Sequence, residues 1–281
     1  MEQYFPFQWH ITEQCDQRCE HCYIFSGRSG SVITEMPFKD IRTILNNCLD
    51  FCGKFDRIPY FYLTGGDPIL HKDFWKVLEL LQTKEIDFSI LGNPFHLTRD
   101  VCEKLNRYGC KKYQLSLDGL KTTHDRIRKP GSFDATLEKI PLINEAGMTS
   151  VIMTTVSGTN IHEVPGIIDL AVKYKVDVFA FARYCPTSLE KNIRISPEEY
   201  RTLLETCWKK FETYKYGETV FSLKDHLWTL FLYEKGLFTI PSELREGIIY
   251  DGCNCGISHI TIQPDGGVSA CRRLESPVGK D

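Results

Sequence analysis

The sequence lacks the features of a membrane protein, a secreted protein or a nucleic-acid-binding protein. Its 281 residues contain no uninterrupted apolar run of about 18 residues, and no basic stretch followed by an apolar one opens the chain. The 34 basic residues are outnumbered by 37 acidic ones, so there is no general basic surface for nucleic acid or an anionic membrane. We therefore expect a cytoplasmic protein with a small or peptidic partner, and neither nucleic acid nor membrane as a partner.

Cysteine is plentiful instead, with 12 residues, but far below the density of small disulfide-bonded secreted scaffolds. Cys15, Cys19 and Cys22 form a Cys-x-x-x-Cys-x-x-Cys run directly after an apolar N-terminal segment. Three thiolates at this spacing can hold three irons of a cubane cluster and leave the fourth iron without a protein ligand. The alternatives are a zinc site and a cysteine stripe buried on one helix face. Four other cysteines fall on predicted helices or their ends and are interpreted as core residues: Cys48, Cys52, Cys102 and Cys110.

Apolar runs rich in β-branched and aromatic residues alternate with longer amphipathic segments, which is typical of strand–helix units around a parallel sheet. The strands are predicted at residues 7–12, 59–64, 87–91, 112–117, 149–156 and 177–183. The helices between them are predicted at residues 38–51, 72–84, 98–108, 133–146 and 162–174. Right-handed crossovers would curl these units into an α/β fold, a partial (β/α)6 TIM-like barrel over residues 1–195. In such a barrel the chemistry belongs at the carboxyl ends of the strands.

Two segments follow the predicted barrel. Residues 196–250 are interpreted as a helical connector that begins with a good cap at Ser196. Residues 251–281 contain an Asp265-Gly266 turn between alternating apolar residues, which predicts a C-terminal β-hairpin extension. Three cysteines flank this hairpin: Cys253, Cys255 and Cys271.

Polar or glycine-containing motifs stand where the predicted strands end. The second strand ends in Gly65-Gly66-Asp67-Pro68, and paired glycines let a ligand approach the backbone closely, although a tight turn is the simpler explanation. Strand periodicity places Ser116 and Asp118 on one face at the end of the fourth strand. Arg128 follows within a His-Asp-x-x-Arg run, and a guanidinium binds a carboxylate bidentately unless it serves a surface salt bridge.

These motifs together resemble the radical S-adenosylmethionine (SAM) enzymes. The resemblance implies that the first three cysteines hold a [4Fe–4S] cluster, whose open iron is chelated by the amino and carboxylate groups of SAM. It also implies that the glycine motif, with Asp67 in place of the usual Glu, holds the SAM amino group, while Ser116 and Arg128 contact the carboxylate and ribose region. Further contacts are implied at the fifth and sixth strands and at the aromatic residue after Cys22. The implied cofactor-binding residues are Tyr23, Gly65, Gly66, Asp67, Ser116, Asp118, Arg128, Thr155, Asn160 and Arg183.

The tail resembles the opening half of a SPASM or twitch extension, which carries auxiliary iron–sulfur clusters in peptide-modifying enzymes. The resemblance implies that Cys253, Cys255 and Cys271 bind an auxiliary cluster. Such an extension normally continues with a further cysteine-rich run. We therefore expect either a truncated extension or at most one auxiliary cluster, with a zinc-bound hairpin as the alternative.

The resemblance implies reductive cleavage of SAM to a 5′-deoxyadenosyl radical that abstracts hydrogen from a ribosomally made peptide. Formation of a thioether cross-link is the first choice of reaction. Peptide epimerisation is the second, with Cys185 as catalytic hydrogen donor unless that cysteine is a buried structural one, and oxidation to formylglycine is the third. A redox sensor or scaffold is the alternative from another class, but it would need neither the glycine pair nor Arg128.

The expected partners are a peptide or protein substrate and an electron donor such as flavodoxin or ferredoxin. The first predicted strand starts within the first few residues, which leaves no room before it for a leader-binding domain. We therefore expect peptide recognition by the barrel surface or by a separate leader-binding protein.

Overall fold

The computed structural model describes residues 4–25, 33–185, 193–239, 242–243, 253, 255–273 and 277–280. These residues form one ten-stranded sheet with helices packed against it. The strands are β1 Tyr4–Thr12, β2 Ile58–Gly65, β3 Phe88–Leu91, β4 Cys110–Ser116, β5 Thr149–Val156, β6 Val178–Arg183, β7 Val220–Ser222, β8 Ile260–Ile262, β9 Gly267–Ser269 and β10 Pro277–Lys280. The helices are α1 Phe38–Lys54, α2 Phe74–Thr83, α3 Arg99–Arg107, α4 Lys121–Ile127, α5 Ser132–Glu145, α6 Val164–Lys173, α7 Pro197–Tyr214 and α8 Leu227–Glu234.

The sheet is an open one, with strand order β10-β9-β8-β1-β2-β3-β4-β5-β6-β7. Strands β1 to β7 pair in parallel with their neighbours, and helices connect successive strands over most of that run. The predicted α/β class and the partial barrel are confirmed, as are all six predicted strands and five predicted helices to within a few residues. The carboxyl ends of these strands therefore meet on one side of the molecule.

The core lies between the sheet and its helices. On β1, the side chains of Phe7, Trp9 and Ile11 are almost fully buried on one face, and the Phe7 ring stacks on Phe61 of β2 with centroids 5.1 Å apart. Large aromatic side chains of this kind supply much of the apolar area that stabilises such a layer. The four cysteines interpreted as core residues are buried, which confirms that prediction: Cys48, Cys52, Cys102 and Cys110.

Helix α4 and strand β7 were not predicted from the sequence. The three residues of β7 are exposed or half-buried, so no apolar alternation marks them, yet they pair in parallel with β6. The stretch interpreted as a helical connector thus adds a strand to the sheet between α7 and α8; its residues 240–241 and 244–250 lie outside the described part.

The predicted tail hairpin is present and extends the main sheet. Strands β8 and β9 are antiparallel, and β8 pairs in parallel with β1 on the edge opposite β2. Thr261 of β8 is fully buried beside Gln8 of β1. None of the helices in the described part of the chain has the length and apolar character that a bilayer crossing requires.

Candidate active site

Cys15, Cys19 and Cys22 lie together in the loop that follows β1, residues 13–25, here called the cysteine loop. All three are free thiols and half-buried, and the Cys22 N–H donates to the Cys19 carbonyl at 3.0 Å. Burial raises the pKa of the Cys19 thiol to about 11, although the nearby Arg128 charge opposes the shift. The predicted triplet therefore occupies the carboxyl end of the first strand, where the barrel architecture places chemistry.

The glycine motif at the end of β2 holds the cysteine loop by close backbone contact. The N–H of Gly66 donates to Thr12 O at 2.8 Å, and the N–H of Asp67 donates to Gln14 O at 2.6 Å. A Cβ atom on Gly65 would lie 2.0 Å from Thr12 O, and Gly65 has a φ of +138°. The close backbone contact with the cysteine loop therefore requires glycine at both positions. The N–H groups of Gly66 and Asp67 are already used in that contact, so a ligand amino group, which is a hydrogen-bond donor, would have to bind carbonyl oxygens of this turn.

Asp67 supplies a buried carboxyl beside that turn. Its side chain is fully buried, and neither oxygen has a hydrogen bond of normal geometry within the described part of the chain. Burial raises the pKa of Asp67 to about 8, with the neighbouring Asp16 adding to the shift and the N–H groups of Asn93 and Ile69 opposing it. A ligand ammonium group would supply the missing counter-charge, favour the ionised carboxylate and occupy its unpaired oxygens.

Asp118 and Arg128 form a buried ion pair at the end of β4. Arg128 Nε donates to Asp118 Oδ2 at 2.6 Å, and Arg128 Nη1 lies 3.9 Å from Cys19 Sγ. His21 Nε2 lies 3.3 Å from the same carboxylate, and the Thr155 N–H donates to its other oxygen at 2.8 Å. Burial disfavours the charged carboxylate, but Arg128, His21 and Thr155 outweigh it and lower the pKa of Asp118. The carboxylate thus orients the Arg128 fork toward the cysteine loop.

A buried histidine ties this strand end to the cysteine loop. His124 Nδ1 accepts from the Asp118 N–H at 3.0 Å, and its Nε2 lies 3.1 Å from Ser132 Oγ. Ser132 Oγ in turn accepts from Gln17 Nε2 of the cysteine loop at 3.1 Å. Burial, followed by the charge of Arg128, lowers the pKa of His124 to about 4, so the ring is neutral at physiological pH. The His-Asp-x-x-Arg motif therefore positions the loop as well as presenting Arg128.

The predicted residues on β5 and β6 have separate surroundings. Asn160 is buried and donates through Nδ2 to Asp118 O at 2.8 Å and to Thr155 O at 2.9 Å, so its side chain holds the backbone of two strand ends together. Arg183 pairs with the buried Asp225 at 3.0 Å. Cys185 is exposed, and its interpretation as a buried structural cysteine is therefore wrong. Cofactor contacts of these residues, of Ser116 and of Tyr23 stay predictions.

The tail cysteines gather around Cys255. Its Sγ lies 3.9 Å from His259 Nε2. Burial raises the pKa of Cys255 to about 12, and interactions with the Cys253 and Cys271 thiols, whose charged forms repel a second thiolate, add to the shift. Thiolate sulfur and imidazole nitrogen are donors for zinc and for iron–sulfur centres. His259 was not predicted, although its position four residues after Cys255 is a metal-ligand spacing.

The side chains present fit the predicted cofactors. The thiols of the cysteine loop face polar donors suited to charged sulfur, because Asn93 Nδ2 donates to Cys15 Sγ at 3.2 Å and the Gln17 N–H does so at 3.4 Å. The orphaned Asp67 carboxyl suits the ammonium group of SAM, and the Arg128 fork suits its carboxylate. Cys15, Cys19 and Cys22 would hold the cluster, and Asp67 and Arg128 would contact SAM.

Sequence reasoning missed two residues that contact this site directly. Asn93 follows β3 and reaches both Cys15 Sγ and, at 2.7 Å, Asp16 Oδ1. His21 lies inside the cysteine motif and reaches Asp118. The position of Asn93 after a parallel strand was the available signal, since such positions meet at one edge of the sheet.

Comparison with known proteins agrees with this geometry. A family model described as the Radical SAM superfamily matches residues 9–171. The Fe-coproporphyrin III synthase of Methanosarcina barkeri is 24% identical over 273 residues, covering 93% of this chain and 67% of that protein. The mycofactocin maturase MftC of Mycolicibacterium smegmatis is 27% identical over 170 residues, covering 59% of this chain and 41% of that protein. The chain thus spans between two fifths and two thirds of the length of these relatives.

Among solved structures, SuiB of Streptococcus suis bound to S-adenosylmethionine has the same fold, with a TM-score of 0.77 at 18% identity. The match covers 100% of this chain and 63% of SuiB. A structure of SuiB bound to its precursor peptide SuiA also matches with a TM-score of 0.77.

Proposed function

The chain belongs to the radical SAM superfamily, an enzyme family that uses a [4Fe–4S] cluster and SAM, and we propose that it modifies a peptide substrate. The observation that carries the cofactor part of this proposal is the arrangement around the cysteine loop. Arg128 Nη1 lies 3.9 Å from Cys19 Sγ, and the backbone of Asp67, whose carboxyl has no hydrogen bond of normal geometry among the described residues, donates to Gln14 O next to Cys15. A redox sensor that never binds SAM has no use for either group.

When both are bound, the cluster and SAM supply a carbon radical able to remove hydrogen from an unreactive C–H bond. The chain's own residues bind and orient. Cys15, Cys19 and Cys22 are the proposed cluster ligands, and Asn93 donates to the Cys15 sulfur. Asp118 fixes Arg128 through Nε, and Arg128 Nη1 faces Cys19. Asp67 is proposed to accept from the SAM amino group. Ser116, Thr155, Asn160 and Tyr23 are proposed to line the ribose and adenine region.

A peptide substrate is supported by MftC, which is named a maturase, and by SuiB, which was solved with a precursor peptide. Thioether formation between a cysteine sulfur and a carbon is the reaction we propose first. The exposed Cys185 lies two residues after Arg183, at the end of the sixth strand, and is open to a substrate, so epimerisation with this thiol as hydrogen donor is the second. A loss of two hydrogens from the product identifies the first reaction, and uptake of one solvent deuterium identifies the second.

A tetrapyrrole substrate is a second candidate, favoured by the extent of the matches. Fe-coproporphyrin III synthase aligns with 93% of this chain, whereas MftC aligns with 59%. A peptide substrate and a tetrapyrrole substrate would use the same cofactor site, so the two proposals differ only in the substrate that binds next to SAM.

The tail is proposed to hold a second metal centre on Cys253, Cys255 and Cys271, with His259 as an adjacent donor. Replacing all three cysteines of the cysteine loop by alanine isolates this centre. Iron and zinc analysis of that variant after anaerobic reconstitution should find metal, and adding His259→Ala should reduce it. Metal-free protein in the triple variant would contradict a tail site.

The cofactor proposal is tested by anaerobic reconstitution with iron and sulfide, followed by dithionite and SAM. We expect 5′-deoxyadenosine and methionine from the wild type and neither from Cys22→Ala. Cys52→Ala is the matched control, because this thiol is buried in the core and should change neither iron content nor turnover. Retention of three cysteine-bound irons without any 5′-deoxyadenosine would overturn the assignment.

A further inference from the structure

Two carboxyl groups and one imidazole converge beside the cysteine loop. They belong to Asp16 of that loop, Asp67 after β2 and His96 after β3, here called the Asp-Asp-His triad. One possible ligand atom from each of the three side chains lies within 4.8 Å of the other two. The triad therefore joins three segments that are well separated along the chain.

Two members of the triad have buried polar atoms without partners. Both carboxyl oxygens of Asp67 and Nε2 of His96 are buried, and none of these atoms makes a hydrogen bond of normal geometry within the described ranges of the chain. Asp67 is fully buried as a residue, whereas the His96 side chain is 38% exposed and gives access from solvent. Buried polar atoms are costly unless they are paired, so these atoms indicate a ligand that binds between them.

The third member, Asp16, is oriented toward the same point. Asn93 Nδ2 donates to Asp16 Oδ1 at 2.7 Å, and the other oxygen, Oδ2, lies 3.7 Å from His96 Nε2. Lys129 Nζ is 3.8 Å from Oδ2, beyond hydrogen-bond distance, on a side chain that is 41% exposed. A hydrogen bond to one carboxylate oxygen orients the other toward a metal ion, so Asp16 Oδ2 is placed to act as a ligand.

Gly92 provides the room for this arrangement. A Cβ atom on Gly92 would lie 2.9 Å from Asp67 Oδ1 and 2.5 Å from the Tyr113 hydroxyl. That hydroxyl donates to Asn93 O at 3.1 Å, so the residue that orients Asp16 is itself held in place. A larger residue at position 92 would displace the buried carboxyl or the tyrosine.

We propose that the Asp-Asp-His triad binds one divalent cation of the first transition row, such as Mn²⁺ or Zn²⁺, which ties the cysteine loop to the ends of β2 and β3. Carboxylate oxygens and an imidazole nitrogen are ligands that such ions accept. Ligand atoms about 2.0–2.2 Å from a shared ion lie at most about 4.4 Å apart, so shifts of a few tenths of an ångström would close the triad around it.

The ion and SAM are compatible at Asp67. The carboxylates of Asp16 and Asp67 repel each other when both are ionised, and a divalent cation offsets that repulsion. Asp67 has two oxygens, so one binds the ion while the other remains for the SAM amino group. The inference concerns a site next to the cofactor and does not depend on the reaction.

Mn²⁺ is the probe for the test, because it prefers carboxylate ligands to the thiolates of the two cysteine sites. Reconstituted protein, freed of loosely bound iron with a chelator, is titrated with Mn²⁺, and free Mn²⁺ is followed by electron paramagnetic resonance. We expect the wild type to bind one ion per chain, and His96→Ala and Asp67→Asn to lose at least about tenfold in affinity. Bound Mn²⁺ should also raise the Tm of the wild type but not that of His96→Ala.

His162→Ala is the matched control, because it removes an exposed imidazole outside the triad and should leave Mn²⁺ binding unchanged. His96→Glu, which replaces the imidazole by an oxygen ligand, should restore part of the affinity. No Mn²⁺ binding by the wild type, or equal affinities of wild type and His96→Ala, would overturn the proposal. A loss of affinity in Cys255→Ala but not in His96→Ala would also overturn it, by assigning the ion to the tail.

The titration also separates this inference from the proposed function, because Mn²⁺ binding needs neither SAM nor turnover. Absence of 5′-deoxyadenosine in the wild type would overturn the proposed function and leave the metal site intact. Absence of Mn²⁺ binding in protein that forms 5′-deoxyadenosine would overturn the metal site alone.

Discussion

The ends of β2 and β4 both hold the cysteine loop and both bury a carboxyl, but they do so in opposite ways. At the end of β4, Asp118 is fully satisfied by Arg128, His21 and the Thr155 N–H, and its pKa lies below the ordinary range of a carboxyl. At the end of β2, the backbone provides the contacts and Asp67 has no hydrogen bond of normal geometry among the described residues. The satisfied carboxylate orients Arg128, whereas the unsatisfied one is the proposed acceptor for the SAM amino group.

The largest effect is expected where the β2 end touches the loop through its backbone. In Gly66→Ala, the new methyl group would lie 2.0 Å from Gln14 O, so the turn or the cysteine loop must move. We expect a loss of at least about 4 kcal/mol in the free energy of unfolding, measured by urea denaturation of the iron-free protein. Gly53→Ala is the matched control: Gly53 lies in α1 with nothing within 4 Å of a new Cβ, and the change should stabilise by about 0.5–1 kcal/mol. Equal stability of Gly66→Ala and Gly53→Ala would contradict the close contact between Gly66 and Gln14 O.

Breaking the ion pair at the β4 end should cost less. Asp118→Asn leaves Arg128 buried without its counter-charge, and we expect a loss of about 3 kcal/mol at neutral pH. Because the pKa of Asp118 is lower folded than unfolded, its stabilisation is present above about pH 4 and disappears as the pH falls toward the folded value. Asp134→Asn, which removes an exposed pair with Lys121, should cost below about 1 kcal/mol. A D118N variant as stable as D134N would refute the structural role of Asp118.

An effect of opposite sign is expected at Asp67. Its pKa is raised to about 8 in the folded protein, so ionisation of this group destabilises the fold increasingly between about pH 4 and pH 8. Asp67→Asn removes that titration, so the stability of this variant relative to the wild type should be higher at about pH 9 than at about pH 5. Denaturant unfolding at the two pH values measures how the free energy of unfolding changes with pH in each protein. The same change in wild type and Asp67→Asn would show that Asp67 does not titrate as described.

The same variant should bind SAM less tightly than the wild type. A carboxamide keeps the shape but loses the charge that would attract an ammonium group, so the dissociation constant should rise about tenfold in calorimetric titration of reconstituted protein. Unchanged affinity in Asp67→Asn would assign the SAM amino group to the backbone alone.

The sequence identified the elements that follow a strong local pattern. The strand ends at Thr12, Gly65 and Ser116 could be located because buried strands alternate clearly with amphipathic helices. The cysteine spacing identifies the cysteine loop from the sequence alone, without knowledge of the fold. Side-chain partnerships were less accessible. Asp118 and Asn160 were predicted beside the cofactor, but they bond mainly to Arg128 and to backbone, because a strand-end polar residue can point at a ligand or at its neighbour.

Long-range contacts were inaccessible for another reason. Asn93 stands in no motif and lies 78 residues from Cys15 along the chain, so no local pattern connects the two. Strand β7 was missed because its three residues carry no apolar alternation.

The pairing of β8 with β1 has a consequence for biosynthesis. Phe7 lies beside Ile260, so one edge of β1 waits for its partner until strands β2 to β7 have been translated. Contacts between such distant residues slow folding, and an unpaired apolar edge invites association with other chains meanwhile. We therefore expect that slower translation or lower temperature during expression raises the yield of folded protein.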